Sequence, residues 1–270
     1  MTTDTATAVT WLFVPGNRPA RFAKARSSGA DQVILDLEDA VNATDKETAR
    51  LAVADWLAST GSGVVRINAP GTEWHDDDVA SLAGLPGLAG VMVPRADDPA
   101  VLTEVRQRLG GCDLVALLES AYAIHHAVEI AECPAVDRLA FGSMDFALDI
   151  DSAETDEALL FGRSALVVAS RIGGKPAPID GVTASIGDDD AVRLAARRSR
   201  ELGFGAKMCI HPTQIAATAE AFRPTAAEIA WATDILAAAE ATGTAAIAVA
   251  GAMVDRPVLD RARRIIDRAN

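Results

Sequence analysis

A (β/α)8 barrel followed by a C-terminal helical extension is the fold this sequence predicts, and three observations predict it. By residue 212 the chain has presented eight short apolar runs of strand length, each followed by sequence able to form a helix. The runs begin some twenty to forty residues apart, the spacing of βα units whose strands lie parallel. No G-x-G-x-x-G or G-x-x-x-x-G-K-S/T loop follows any of them, which disfavours the rival arrangement, a doubly wound open sheet.

Residues 11–15 (WLFVP) are the first run; the GNRP after them supplies turn residues and, at Pro19, the start of a helix carrying Arg21, Lys24 and Arg26. Residues 32–37 (QVILDL) form a second buried strand that ends in Glu38 and Asp39. A polar helix over 46–59 leads to the third strand, 64–69 (VVRINA), and a helical segment over 74–82 to the fourth, 90–95 (GVMVPR). The fifth and sixth runs end at Glu119 and Asp145, with a helix-period segment over 122–132 between them. Helical patterns over 157–172 and 189–202 precede the seventh strand, 177–182 (APIDGV), and the eighth, 205–212 (GAKMCIHP). The barrel domain is therefore placed at residues 1–222 and a helical arm at 223–270. The arm comprises an amphipathic repeat over 226–241, a small-residue run over 243–251 and a final helix from about Pro257. A run so rich in Ala and Gly has little stability of its own, so the arm is expected to pack on a neighbouring subunit or across the barrel.

The 270 residues, half of them apolar, suffice for a full-sized core. A formal net charge of −13 argues against nucleic acid and anionic membrane as partners, because either needs a surplus of Lys and Arg on some face. An anionic small molecule remains open where basic residues cluster. Cys112, Cys133 and Cys209 are odd in number, widely spaced and without a C-x-x-C pair, which predicts buried thiols of a cytoplasmic protein. Residues 1–8 lack the charged start and apolar core of a signal peptide, and no apolar run approaches the length of a membrane span.

In a parallel barrel the C-terminal strand ends share one mouth, where ligands bind. Glu119 and Asp145, closing apolar runs in neighbouring units, together predict a site for a hard divalent cation; either alone reads as a helix cap or a solvated loop acid. Arg66 stands within the apolar V-V-R-I-N, where a guanidinium requires an anion. A substrate carboxylate beside the metal is the functional reading, and a structural ion pair with Glu38 or Asp39 the alternative. The same mouth collects Arg18, Arg95, Asp180 and His211. Asp180-Gly181 reads as a strand-end turn, His211 as a helix-start or packing residue, and Met144 as core or pocket lining.

The segments WLFVPGNRPARFAKA, DQVILDLEDAV, VVRIN, GVMVPR, ALLESA, FGSMD, APIDGV, CIHPTQI and GAMVDRPV, in that order, resemble the citrate lyase beta subunit family and its stand-alone relatives, the malyl-CoA and citramalyl-CoA lyases. The resemblance extends from Trp11 to about Arg264. It implies a (β/α)8 barrel, Mg2+ held by Glu119 and Asp145, and substrate oxygens bound by Arg66 and Glu119. It also implies a homotrimer or hexamer in which the tail of one subunit covers the barrel of the next and brings Asp255 to the site. The implied reaction is cleavage of a 3-hydroxyacyl-CoA thioester to an acyl-CoA and a 2-keto acid, or the reverse condensation, with Asp255 exchanging a proton with the acyl-CoA enolate. Arg18, Arg21, Lys24 and Lys207 are the candidate cations for the phosphates of CoA.

Three departures bear on the substrate. Tyr122 and Ala123 replace an Arg-Gly pair, Met144 stands where an acid is common, and Arg95 replaces a frequent Lys. Two other readings stay open at this stage: a metal-dependent aldolase acting on free acids without CoA, and a non-catalytic CoA- or acyl-carrier-binding subunit of a larger lyase complex.

Overall fold

Parallel hydrogen bonding runs through eight strands in chain order and returns to the first: β1 (Thr10–Pro15), β2 (Gln32–Asp36), β3 (Gly63–Arg66), β4 (Leu88–Val93), β5 (Asp113–Leu118), β6 (Arg138–Phe141), β7 (Ile179–Asp180) and β8 (Ala206–Cys209). Closure is made by β8 on β1, with Thr10 opposite Lys207 and Leu12 opposite Cys209. This computed structural model describes residues 4–242, 247–249 and 252–269. The helices between the strands are α1 (Phe22–Arg26), α2 (Lys46–Ala58), α3 (His75–Leu82), α4 (Pro99–Arg108), α5 (Ala121–His125), α6 (Ala127–Glu132), α7 (Ser143–Asp149), α8 (Leu160–Ile172) and α9 (Asp189–Leu202), with α10 (Gln214–Phe222) after β8.

Strands covered on both faces read as unbroken apolar runs, and here the two faces separate by parity. Trp11, Ile34, Val64, Met92, Val115, Leu117 and Met208 belong to one cluster that fills the barrel. Their neighbours Leu12, Leu35, Val65, Val91, Leu114 and Ala116 belong to the larger cluster shared with the surrounding helices. At the base of the barrel, Arg138 is 2% exposed and donates to the carbonyls of Thr5, Ala8 and Ala177, with its guanidinium 5.9 Å from the Trp11 ring centroid.

The structure departs from the sequence-based expectation at four places. The sixth strand stops at Phe141, and Gly142 hands the chain directly to α7, so Asp145 lies in the first turn of a helix rather than at a strand end. The seventh strand is two residues long, pairing Ile179 with Ala140 and Ala206. The helix expected over 122–132 breaks at His126, whose ring stacks on Tyr122 at 4.0 Å. Two short antiparallel strands form within the small-residue run and just after it, β9 (Ile247–Val249) and β10 (Ala252–Val254); the rest of residues 243–251 lies outside the described residues.

The chain divides into two compact units, Met1–Ala219 and Glu220–Asn270. In the second, α11 (Ala226–Thr242) packs on α12 (Arg256–Ala269) through Trp231, Ala232, Ile235, Leu259 and Ala262. Thr225 and Glu228 cap α11 reciprocally, backbone N–H to side-chain oxygen in both directions. Asp255 accepts the N–H of Val258 at 3.3 Å and so caps α12. No helix among the described residues is long and apolar enough to cross a membrane. The three cysteines are free, with Cys133 and Cys209 buried and Cys112 partly so.

Candidate active site

A cavity of about 410 Å³ opens at the C-terminal ends of the strands. Arg66 is the last residue of β3 and faces the barrel interior, directly opposite Asp36 of β2 in the parallel register. That register makes a two-pronged contact: Arg66 Nε donates to Asp36 Oδ1 and Nη2 to Oδ2, both at 2.7 Å. Asp36 also accepts the N–H groups of Glu38 and Ala40, which fixes the turn after β2. The third guanidinium nitrogen, Nη1, lies 3.1 Å from Glu38 Oε2 and 3.3 Å from Asp39 Oδ2, and the guanidinium sits 4.8 Å above the Phe13 ring. Burial alone would depress the Arg66 pKa; Asp36, then Glu38 and Asp39, hold it above its ordinary value.

Glu38 is close enough to Arg66 for charge attraction, yet its Oε2 makes no bond of hydrogen-bond geometry. Burial pushes its pKa up to about 9 against the pull of Arg66, with Asp39, Glu119 and Asp36 adding to the rise. Beneath the turn, Lys46 of α2 donates to the carbonyls of Leu37 (2.7 Å) and Glu38 (2.8 Å) and to Asn68 Oδ1 (2.5 Å). Asn68 is held in turn by Asp78, and Asp78 by Arg50.

Glu119 follows β5 with the same inward parity as Val115 and Leu117. Its Oε1 accepts the backbone N–H of Arg95 at 2.8 Å. Arg95 has a left-handed backbone, φ 45°, which turns that N–H into the mouth while its side chain stays exposed. Gly142 gives Glu119 its room: a Cβ there would stand 2.5 Å from Glu119 Cβ and 2.7 Å from Oε2. Burial raises the Glu119 pKa to about 7; the Arg95 N–H opposes this, and the charge of Asp145 adds to it. The Asp145 pKa is raised as well, by burial first and Asp39 second.

These residues fit a hard divalent cation. Glu119 and Asp145 present oxygen donors to the same cavity, and the repulsion they create is what a cation relieves. Among the described residues no group of three or more His, Cys, Asp and Glu side chains is placed to hold a metal, so the protein would supply two carboxylates and leave positions open.

The structure brings Arg66, Glu119 and Asp145 to one cavity, together with Asp36, which sequence reasoning passed over inside the apolar QVILDL, and Met144. Arg21 and Lys24 line a second cavity of about 500 Å³, which shares Phe13 and Ile210 with the first. Arg18 is exposed beside the turn that precedes α1. His211 also lines the second cavity, and its Nδ1 lies 2.8 Å from Thr213 Oγ1. Tyr122 is exposed on α5 and belongs to the lining of neither cavity. Asp255 lies in the second compact unit.

Lys207 does not take the rim position expected of it. Its parity is opposite to that of Ala206 and Met208, so it points to the helix layer, where it is 2% exposed and donates to the Gly181 carbonyl at 2.6 Å. Asp180, read from the sequence as part of a strand-end turn, closes β7 as a buried ion-pair residue: it pairs with Arg163 of α8 (3.1 Å) and Lys207 (3.5 Å) and accepts from Ser199 of α9. Burial alone would raise the Asp180 pKa, but Lys207 and then Arg163 bring it below the ordinary value. Its contribution to stability is therefore present at neutral pH and lost as pH falls through that depressed pKa. Asp180→Asn is expected to cost about 3–5 kcal/mol at pH 7 by stranding two buried cations. In urea unfolding, the gap from wild type should close only well below about pH 3.9; a gap independent of pH into strong acid would contradict the ion-pair assignment.

Residues 10–212 match the family described as HpcH/HpaI aldolase/citrate lyase. The chain is 38% identical over 267 residues to the citrate lyase subunit beta-like protein of Mycobacterium tuberculosis, covering 96% of this chain and 94% of that one. It is 34% identical over 297 residues to the L-malyl-CoA/beta-methylmalyl-CoA lyase of Cereibacter sphaeroides, with 96% and 93% covered. The crystal structure of CitE from Mycobacterium tuberculosis in complex with magnesium, acetoacetate and coenzyme A superposes with a TM-score of 0.88 at 34% identity, over 98% of this chain and 99% of that one.

Proposed function

The chain belongs to the HpcH/HpaI aldolase/citrate lyase family, and on that premise we propose that it is a Mg2+-dependent carbon–carbon lyase acting on a 3-hydroxyacyl-CoA thioester. Malyl-, citramalyl- and citryl-CoA are the substrate types considered, cleaved to an acyl-CoA and a 2-keto acid or formed by the reverse condensation. One observation carries the reading: Glu119 and Asp145, from adjacent βα units, converge on a cavity whose one lining cation among the described residues is Arg66. Glu119 and Asp145 would hold the metal, which supplies Lewis acidity to substrate oxygens when bound.

The chain's own groups do the rest. Asp36 clamps the Arg66 guanidinium in one plane through Nε and Nη2, which leaves Nη1, now on Asp39, to receive a substrate oxygen in exchange. The Arg95 N–H fixes one oxygen of Glu119 and so orients the other. Cleavage of the C–C bond leaves the enolate of the acyl thioester, which takes up one proton; Asp255 is the proposed donor and, in the condensation direction, the base. Arg21 and Lys24, lining the adjoining cavity, would bind the phosphates of CoA with Arg18 at the rim.

A Mg2+-supplemented screen of malyl-, citramalyl-, methylmalyl- and citryl-CoA, with products identified by mass, tests the reading. Formation of a 2-keto acid with a new acyl-CoA supports it. Release of CoA with an intact hydroxy acid would mean thioester hydrolysis, and turnover of the free acids alone would mean an aldolase without CoA.

The proposed assembly is a homotrimer or hexamer in which each site takes Asp255 from the neighbouring chain. Arg66→Ala and Asp255→Ala, each inactive alone, should then complement on subunit exchange. With random one-to-one mixing, about a quarter of independent sites recover an intact Arg66 and an intact Asp255. No recovery after demonstrated exchange would place both residues on the same chain's site, or remove Asp255 from the mechanism.

A further inference from the structure

Asp36, Asp39, Glu119 and Asp145 line the cavity with Arg66, and the rest of its lining is mostly apolar, with Leu117, Phe141, Val182, Met208 and Ile210 and, as its one uncharged hydroxyl among the described residues, Ser143. Among the described residues that line it, Arg66 is the only cation, and Asp36 already occupies two of its three nitrogens. Arg95 is felt as a charge at Asp145, but its side chain is exposed and outside the lining. Met144 stands at the edge, 46% exposed, between Ser143 and Asp145 on the first turn of α7.

Resting on the lyase reading above, we infer that the keto-acid half of the substrate carries one carboxylate and an uncharged alkyl substituent, with Met144 as the residue that sets this preference. The single carboxylate and its neighbouring oxygen are served by the Glu119, Asp145 and Arg66 side of the cavity. A second carboxylate has two places to go. Against the apolar wall, where Ser143 offers a hydroxyl and no counter-charge, it is desolvated without charge compensation, and against the acids it is repelled. Discrimination therefore comes from what the pocket withholds as much as from what it offers. A long positive side chain at position 144 would supply the missing partner, and the exposure of Met144 means that the substitution need not disturb the core.

Titration calorimetry of the intact protein with Mg2+ and free 2-keto acids tests this without turnover. Pyruvate and 2-ketobutyrate are expected to bind at least about tenfold more tightly than oxaloacetate or 2-ketoglutarate. Met144→Arg should erase or reverse that order, and Met144→Leu should keep it. Equal or tighter binding of the dicarboxylates by the wild type, or failure of both classes to bind, overturns the inference. If the alkyl keto acids bind in the expected order but no thioester is cleaved, the lyase reading falls and the pocket preference stands. If thioesters are cleaved with citryl-CoA preferred, the lyase reading stands and the preference falls.

Discussion

Glu119→Gln and Asp145→Asn are each expected to cut Mg2+-supported turnover by at least roughly 10²–10³-fold, the scale on which the loss of one well-placed electrostatic group is felt in catalysis, while leaving the protein folded. The two substitutions each remove one unit of negative charge from the Glu119–Asp145 pair, while the other lining acids, Asp36 and Asp39, are engaged by Arg66. Folding is spared for a reason visible in the site. The Glu119 carboxyl, with a pKa of about 7, already spends much of its time neutral in the absence of metal, and Gln copies that neutral form in shape. It can still accept the Arg95 N–H through its carbonyl oxygen. The measurements are Mg2+ affinity by calorimetry, steady-state turnover at sub-millimolar Mg2+, and the unfolding midpoint. Unchanged turnover in either variant would move the cation elsewhere; a collapsed midpoint would make the carboxylates structural.

Arg66→Ala is expected to abolish activity and also to destabilise the fold by about 3–5 kcal/mol, because it strands Asp36, which is 1% exposed, without a counter-charge. Arg66→Lys should be nearly as damaging to turnover, since a point charge cannot occupy both oxygens of Asp36 and still reach toward the cavity. The double variant Asp36→Ala/Arg66→Ala separates the two roles. Removing both members of the pair should restore most of the lost stability and none of the activity. If turnover returns along with stability, Arg66 is only the counter-ion of Asp36 and the substrate finds its binding charge elsewhere.

The barrel was legible because strands buried on both faces write themselves as apolar runs, and eight such runs admit few arrangements. Runs do not say which side a polar residue takes. The sequence reading sets Asp180 at the mouth and Lys207 among the cations for the CoA phosphates, yet alternation with Ile179, Ala206 and Met208 sends both outward to α8 and α9. The same parity sends Arg66 and Glu119 inward, so alternation along each strand was the unused signal. Asp36 was passed over for a different reason. Its importance comes from standing opposite Arg66, and the register between two strands is not written in either one. The sequence reading sets Asp145 at a strand end, whereas the strand stops at Phe141 and Gly142 turns the chain into α7, a turn residue inside the apolar run that could have marked the change. Arg95 contributes through a backbone amide, which no side-chain pattern reveals. The β9–β10 pair consists of two three-residue strands, too short for either to announce its pairing without the other.

Closure of the strands in chain order has a consequence for the protein as it leaves the ribosome. Arg66 and Asp36 are 30 residues apart and belong to adjacent strands, so the guanidinium can meet its counter-ion as soon as β3 is made. Glu119 is synthesised some fifty residues later, about 3–10 s at ordinary elongation rates. The nascent chain can thus neutralise the arginine half of the site with residues it already has. The two mutually repelling acids, Glu119 and Asp145, are made afterwards, before β8 closes the barrel on β1.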